Sequence, residues 1–339
     1  VLRREVKMSI SKERFKSVDK LQMDEQEMLN SEVSFFKDAY HRFVANKGAV
    51  IGFFAITLIL ILSFIGPIIS PHIYNNLVTE HLNLPPRIPF LENFGIFDGT
   101  WKDVNMYIKK GFDDVYYWFG ADGLGRDLWA RVWVGTRISF MVAFVAVIID
   151  VFIGITVGLI SGYYGGKVDL IIQRVIEIIA GIPNLVVVIL LMIVLKPGLV
   201  SIIFALMITG WISQSRVVRS QVLKIKEMEY ILAAKTLGAS HMVIILREIL
   251  PNIIGQIIVM TMFSIPNAIF FESFLAFIGL GLQPPLASLG VLISTGYQSM
   301  LIYPHMVIFP VIVLSVLMLS FNLVADGLRD AFDPKMKGF

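Results

Sequence analysis

Two acidic residues, Asp150 and Glu272, lie inside long apolar runs, where an ionised side chain is costly unless it faces protein or water. Each could line an aqueous path or close a hydrogen bond between helices. Asn267, beside Pro266 in the same run as Glu272, is a third polar candidate for such a path. A second kind of chemistry is suggested by Asp122, Arg126 and Asp127, whose charges alternate around Gly123 and Gly125. That spacing suits a turn pinned by its own hydrogen bonds better than a metal site, which needs more convergent ligands. The five histidines, His41, His72, His81, His241 and His305, are scattered and no two fall at metal-ligand spacing. There is no cysteine, which excludes disulfides, thiolate metal sites and cysteine nucleophiles within the sequence. No Gly-rich loop ends in Gly-Lys-Ser/Thr, and nothing resembles a nucleophile elbow, so neither nucleotide nor acyl hydrolysis is assigned to the chain.

The elements that must hold these residues are membrane helices. Of 339 residues, 56% are hydrophobic and only 16% charged, with a mean hydropathy of +0.75. The net charge of +3 is small and the basic residues form no nucleic-acid footprint. Residues 1–34 are charged and poor in aromatics, the composition of a flexible tail. Residues 35–47 place Phe35, Phe36, Ala39, Tyr40, Phe43 and Val44 at helical spacing, which predicts an amphipathic helix in the membrane interface. An uncharged run at 48–70 is long enough to span the hydrocarbon core, and about 47 mostly polar residues precede it, so it is expected to remain as an anchor. Residues 71–137 change character, with Pro85-Pro86, several glycines and Trp101, Tyr116, Tyr117 and Trp118, as in a folded loop.

Five further spans are expected within 138–328. They run over 138–162 with Gly154, Gly158 and Gly162 at close-packing spacing, 178–195 with Pro183 near its start, a short 199–213, 252–282, and 305–324. The fifth apolar segment is too long for the membrane, and Pro266-Asn267 is the expected break. Residues 283–304 carry no Lys or Arg and suit a re-entrant loop packed on protein, and 329–339 form a basic tail. Six spans put the basic segments (the N-terminal tail, Lys167 and Arg174, Arg216 to Arg247, and the C-terminal tail) on one side, which the positive-inside rule makes cytoplasmic.

Within the cytoplasmic stretch 213–251, residues 229–251 (EYILAAKTLGASHMVIILREILP) read as helix, sharp turn and second helix. Gly238 suits a left-handed cap, and Ser240, after Ala239, suits the N-cap of the next helix. Ala233, Ala234 and Gly238 would let another protein approach the backbone closely, while Glu229 and Lys235 offer charges at the rim.

These residues carry a resemblance. Ala233, Ala234, Gly238, Leu250 and Pro251 fall in the pattern of the cytoplasmic EAA loop of membrane permeases of bacterial binding-protein-dependent ABC importers. Gly120-Ala-Asp-Gly-Leu-Gly-Arg-Asp127, Gly162-Tyr-Tyr-Gly-Gly166, Glu272-Ser-Phe-Leu-Ala-Phe-Ile-Gly-Leu-Gly281 with Gln283-Pro-Pro285, and Asp326-Gly-Leu-Arg-Asp330 with Asp333-Pro334 are similar to signatures of its oligopeptide and dipeptide subfamily, C-type subunit. Leu232 stands where the family word has Glu, and Glu229, one turn earlier, presents a charge from nearly the same face.

The resemblance implies an all-α membrane protein of six transmembrane helices, the type I importer permease fold, with the 35–47 helix as elbow and the 71–137 region facing a substrate-binding protein. It implies peptide import and a non-enzymatic subunit. The implied partners are a homologous B-type permease, two ATPase subunits of D and F type that bind ATP and Mg, an extracellular peptide-binding protein and the lipid bilayer. Glu229, Leu232, Ala233, Ala234, Lys235, Gly238, Ala239 and Ser240 would then form the ATPase-coupling surface. Nickel, glutathione or another small solute is the alternative cargo. From other classes, the chain could be an ion-driven secondary transporter using Asp150 and Glu272, or a structural subunit of a larger membrane complex.

Overall fold

The computed structural model describes residues 35–332; the 1–34 tail, the Asp333-Pro334 pair and the last tail residues lie outside it. Helix α1 (Phe35–Ala45) leads into α2 (Lys47–Ile69). The Asn46 side chain caps α2 by accepting from Ala49 N at 3.2 Å. Ala49, Gly52, Ile56, Ile59, Ser63 and Gly66 are its buried residues, three and four apart, so one stripe meets protein. The opposite side, including Phe53, Phe54 and Leu58, is exposed, as expected of a face turned to lipid.

The loop after α2 ends at Asp127, ten residues before the expected boundary at 137. Helix α4 (Leu128–Tyr164, after a short α3 at Met106–Lys110) begins there because the Asp127 carboxylate accepts from Trp129 N and Ala130 N. Two basic residues of the expected loop lie on this helix and have partners: Arg131 lies 3.4 Å from Asp122, and the Arg137 guanidinium lies 5.5 Å from the Phe64 ring centroid. With 37 residues α4 is about 55 Å long.

The third span is a bent pair rather than a single helix over 178–195. Helices α5 (Gly166–Ala180) and α6 (Asn184–Leu195) meet at 76°. Pro183 disfavours a helical residue before it, and α6 alone, at 12 residues, is too short for the hydrocarbon core. Helix α7 (Leu199–Ile225) continues well past 213. Its polar half stays helical because α4 shields it: Gly154, Gly158 and Gly162 lie so close to Gln214, Ser215, Val218 and Val222 that an added Cβ would clash. Arg219 is fixed by donating to both Asp169 oxygens, at 2.6 and 2.5 Å.

After α8 (Glu229–Thr236), helix α9 runs from His241 to Leu280 with π turns at Ile244–Ile249 and Ala276–Leu280. The expected break at Pro266 does not occur, since Leu250–Leu275 is continuous through the proline. Ser264 Oγ donating to Met260 O (3.0 Å) and Asn267 Nδ2 donating to Phe263 O (2.9 Å) supply side-chain bonds beside it. The irregularity lies at Gly279, whose φ of +87° suits a residue without Cβ. The segment 283–304 contains helix α10 (Leu289–Gln298), capped by Ser288, and α11 (His305–Phe332) completes the bundle. Among the described residues five helices are long and apolar enough to cross a membrane, or six when the bent α5–α6 pair is counted as one span.

Between α2 and α4 a small folded region contains a two-stranded hairpin, β1 (Thr100–Trp101) with β2 (Val104–Asn105), and a core of Leu84, Tyr107, Tyr117 and Ala121. Arg87 organises it, donating to Glu92 Oε2 and Asp113 O at 2.7 Å each and lying 4.4 Å from the Tyr116 ring centroid. Burial holds His81 below the ordinary histidine range and pushes Tyr117 up to about 12.

Candidate functional site

Asp122, Arg126 and Asp127 form a pinned turn. Asp122 Oδ1 accepts from Leu124 N (2.9 Å) and Arg126 N (3.0 Å), and its Oδ2 accepts from Arg126 Nε at 2.7 Å. Ser70 Oγ donates to Asp127 at 2.5 Å, tying the end of α2 to the start of α4.

The 229–251 unit is a helix, turn and helix with one side packed on α4 and α7 and the other exposed. Gly238 has φ +81° with open space around its Cα, its N–H donates to Lys235 O at 3.0 Å, and Ala239 N donates to Ala234 O at 3.1 Å. These are the paired bonds of a left-handed C-cap. Ser240 has the extended backbone of an N-cap, but its side chain makes no capping bond. The small residues divide: Ala233 and Gly238 are exposed, whereas Ala234 and Ala239 pack inward on the cluster of Ile231, Ile244, Ile245 and Ile249. Glu229, Leu232, Lys235 and Ser240 are exposed.

The sequence reading missed two features of this unit. Leu237 is 87% exposed at the tip, and it joins half-exposed Leu232 and exposed Met242 in an apolar surface. Second, Lys235 Nζ lies 5.3 Å from the Tyr163 ring centroid, and the Tyr163 hydroxyl is 2.8 Å from His241 Nδ1. The last turn of α4 is thus held by both arms of the turn.

Asp150 and Asn267 line one recess of about 270 Å³ between α4, α6, α7 and α9, together with Asn184, Thr209, Ser213 and Ser264. Asp150 is 6% exposed and its Oδ1 has no hydrogen-bond partner. Glu272 is not part of that recess. It is fully buried, its Oε2 accepts from Ser139 Oγ at 2.9 Å, and the same Ser139 oxygen accepts from Leu289 N at 3.2 Å. Glu272 therefore bridges α9, α4 and the start of α10. Hydroxyls and amides scattered through apolar runs gave no signal of the recess, which exists only once four helices converge.

A family model described as the binding-protein-dependent transport system inner membrane component matches residues 154–338, more than half of the chain. The chain belongs to this family. It is a multi-pass membrane permease subunit of a binding-protein-dependent importer, with the all-α permease fold. The N-terminal TM domain of oligopeptide transport permease C matches residues 34–86 of the permease. It is similar to the dipeptide transport system permease protein DppC of Bacillus subtilis strain 168, at 42% identity over 90% of this chain and 87% of that protein. The oligopeptide transport system permease protein OppC of the same organism is 39% identical over 93% of this permease and 94% of its own length. Among solved structures, the inward-facing MetNI methionine ABC transporter aligns over 58% of this permease and 96% of that chain, at 18% identity and a TM-score of 0.46.

Proposed function

We propose that this permease forms half of the translocation path of an ATP-driven importer of oligopeptides or dipeptides. The relatives' peptide cargo supports the substrate class. The single observation that carries the coupling role is α8, an exposed helix whose one buried residue, Ile231, roots it in the cluster that joins α4, α7 and α9. In this reading the surface from Glu229 to Ser240 docks on one of two ATPase subunits, which bind ATP and Mg. Both chain termini are cytoplasmic, the region between α2 and α4 meets a peptide-binding protein outside, and a homologous second permease completes the pore. Asp150 and Asn267 line the path, and Glu272 braces the helices around it.

When the ATPases close, a docked α8 is carried as a rigid body. Ile231 and the Lys235–Tyr163–His241 contact pass its displacement to α4 and α9. Work on the gate is mechanical, and the bond-breaking chemistry stays with the ATPases. The test is Gly238→Leu in the complete complex. A side chain at φ +81° strains the turn, so membrane insertion should persist while uptake falls at least about tenfold relative to ATP hydrolysis. Uptake at the wild-type ratio would refute the coupling role.

A further inference from the structure

The Asp150 recess is short of donors. Asp150 Oδ1 and Asn184 Oδ1, on two of the helices that line it, are buried acceptor atoms without partners, and Gln214 Oε1, on α7 but outside the lining, is a third. Gln214 Nε2 is already used on Ser264 Oγ at 2.9 Å. Gly210 leaves no room for a Cβ against the Asp150 carboxylate, so the group is confined at the wall of the recess. Two unpaired acceptors lining one recess, one of them a carboxylate oxygen, call for a ligand that brings donors, and an ammonium group is such a ligand.

A second recess, of about 370 Å³, adjoins the first and shares Asn184, Thr209 and Ser213 with it; Arg216 lines its far side. Arg216 is exposed and has no ion-pair partner among the described residues. Thr209, Ser213 and Arg216 are spaced four and three apart on α7, which puts them on one face of the helix. From Gly210, where the Asp150 carboxylate sits, to Arg216 the helix rises about 9 Å. An extended peptide covers that distance in about two to three residues.

We propose that the two recesses form one cargo subsite for a zwitterion, with the ammonium end received by Asp150 and Asn184 and the carboxylate end by Arg216. The inference rests on the peptide-import reading and adds to it a permease site that holds both ends of a short peptide. Thr209 and Ser213, whose hydroxyls can donate or accept, face the peptide backbone between the two charges.

The test uses the whole complex in vesicles with its binding protein, which is saturated separately with trialanine, N-acetyl-trialanine or trialanine amide so that selection by the binding protein drops out. Wild type should move trialanine about tenfold faster than either blocked form. Asp150→Asn should abolish discrimination against the acetylated peptide and keep that against the amide; Arg216→Gln should do the reverse. Equal wild-type rates on all three, unchanged ratios in both variants, or an equal loss on all three peptides would overturn the subsite. The last outcome would place Asp150 against the second permease. Arg216 is exposed, so its arm decides the matter even if Asp150→Asn fails to assemble. Transport of none of the three by wild type would instead refute the peptide reading, and the subsite would fall with it.

Discussion

Asp150 and Glu272 are both carboxylic acids in membrane-spanning helices, yet their surroundings differ. Glu272 is fully buried, and although its Oε1 has no hydrogen-bond partner, its Oε2 is held by a serine that also receives Leu289 N, so three elements meet at one hydrogen-bonded point. Asp150 has an unpaired oxygen at the wall of an open recess lined by amides and hydroxyls from three other helices. Each acid leaves one oxygen without a hydrogen-bond partner, Asp150 Oδ1 and Glu272 Oε1, so what separates them is that Glu272 also bonds Ser139 inside packed protein while Asp150 borders open space.

The largest expected effect is that of Glu272→Ala, which empties a packed site and strips the Ser139 hydroxyl of its acceptor. It should destabilise the assembled complex by about 2–4 kcal/mol, read as a fall in its thermal midpoint. Ser139→Ala removes the same bridge from the other side and should cost about 1–3 kcal/mol. Glu272→Gln keeps the shape and an acceptor for Ser139, and should cost less than about 1.5 kcal/mol. Asp150→Asn relieves an unpaired buried carboxylate and should leave the midpoint within about 1 kcal/mol of wild type, or above it. Destabilisation by Asp150→Asn as large as that of Glu272→Ala would erase the distinction between the two acids.

The smallest effect lies outside the membrane. His81 has its folded pKa lowered by burial first, so its neutral form is favoured in the fold. The unfolded chain then takes up a proton first as the pH drops through the ordinary histidine value near 6.5. Stability of the region between α2 and α4 should be complete above that value and decline below it. Proteolysis of that region at pH 7.5 and 5.5 should show the decline, and His81→Gln should flatten it. A steeper acid loss in His81→Gln would contradict the assignment.

Much of this was legible in the chain. Apolar length gave the spans, and Gly154, Gly158 and Gly162 marked the seam that α4 makes with α7. The sharp turn at Gly238 followed from its place after Ala233-Ala234. What could not be read locally depended on partners distant in sequence. Arg131 and Arg137 look like loop residues until Asp122 and Phe64 are brought beside them, so the start of α4 appeared too late. Arg216 and Arg219 suggested the end of a span, yet Asp169 and the α4 glycines keep that stretch of α7 helical. Pro266 was the obvious place for a break, but nearby side-chain bonds support the helix, and the left-handed residue is Gly279 instead. The inward turn of Ala234 and Ala239 likewise depends on isoleucines that follow them.

Helix α4 contains no proline and runs unbroken for 37 residues, from the turn pinned at Asp127 to the tyrosine gripped by Lys235 and His241. Such a rod behaves as a see-saw. If its middle is the pivot, a small displacement at the Tyr163 end returns at the Asp127 end in the opposite sense, with little lost to bending. Closing one mouth of the pore and opening the other would then be a single movement, and the Asp150 recess, lying nearer the pivot than either tip, would be disturbed least.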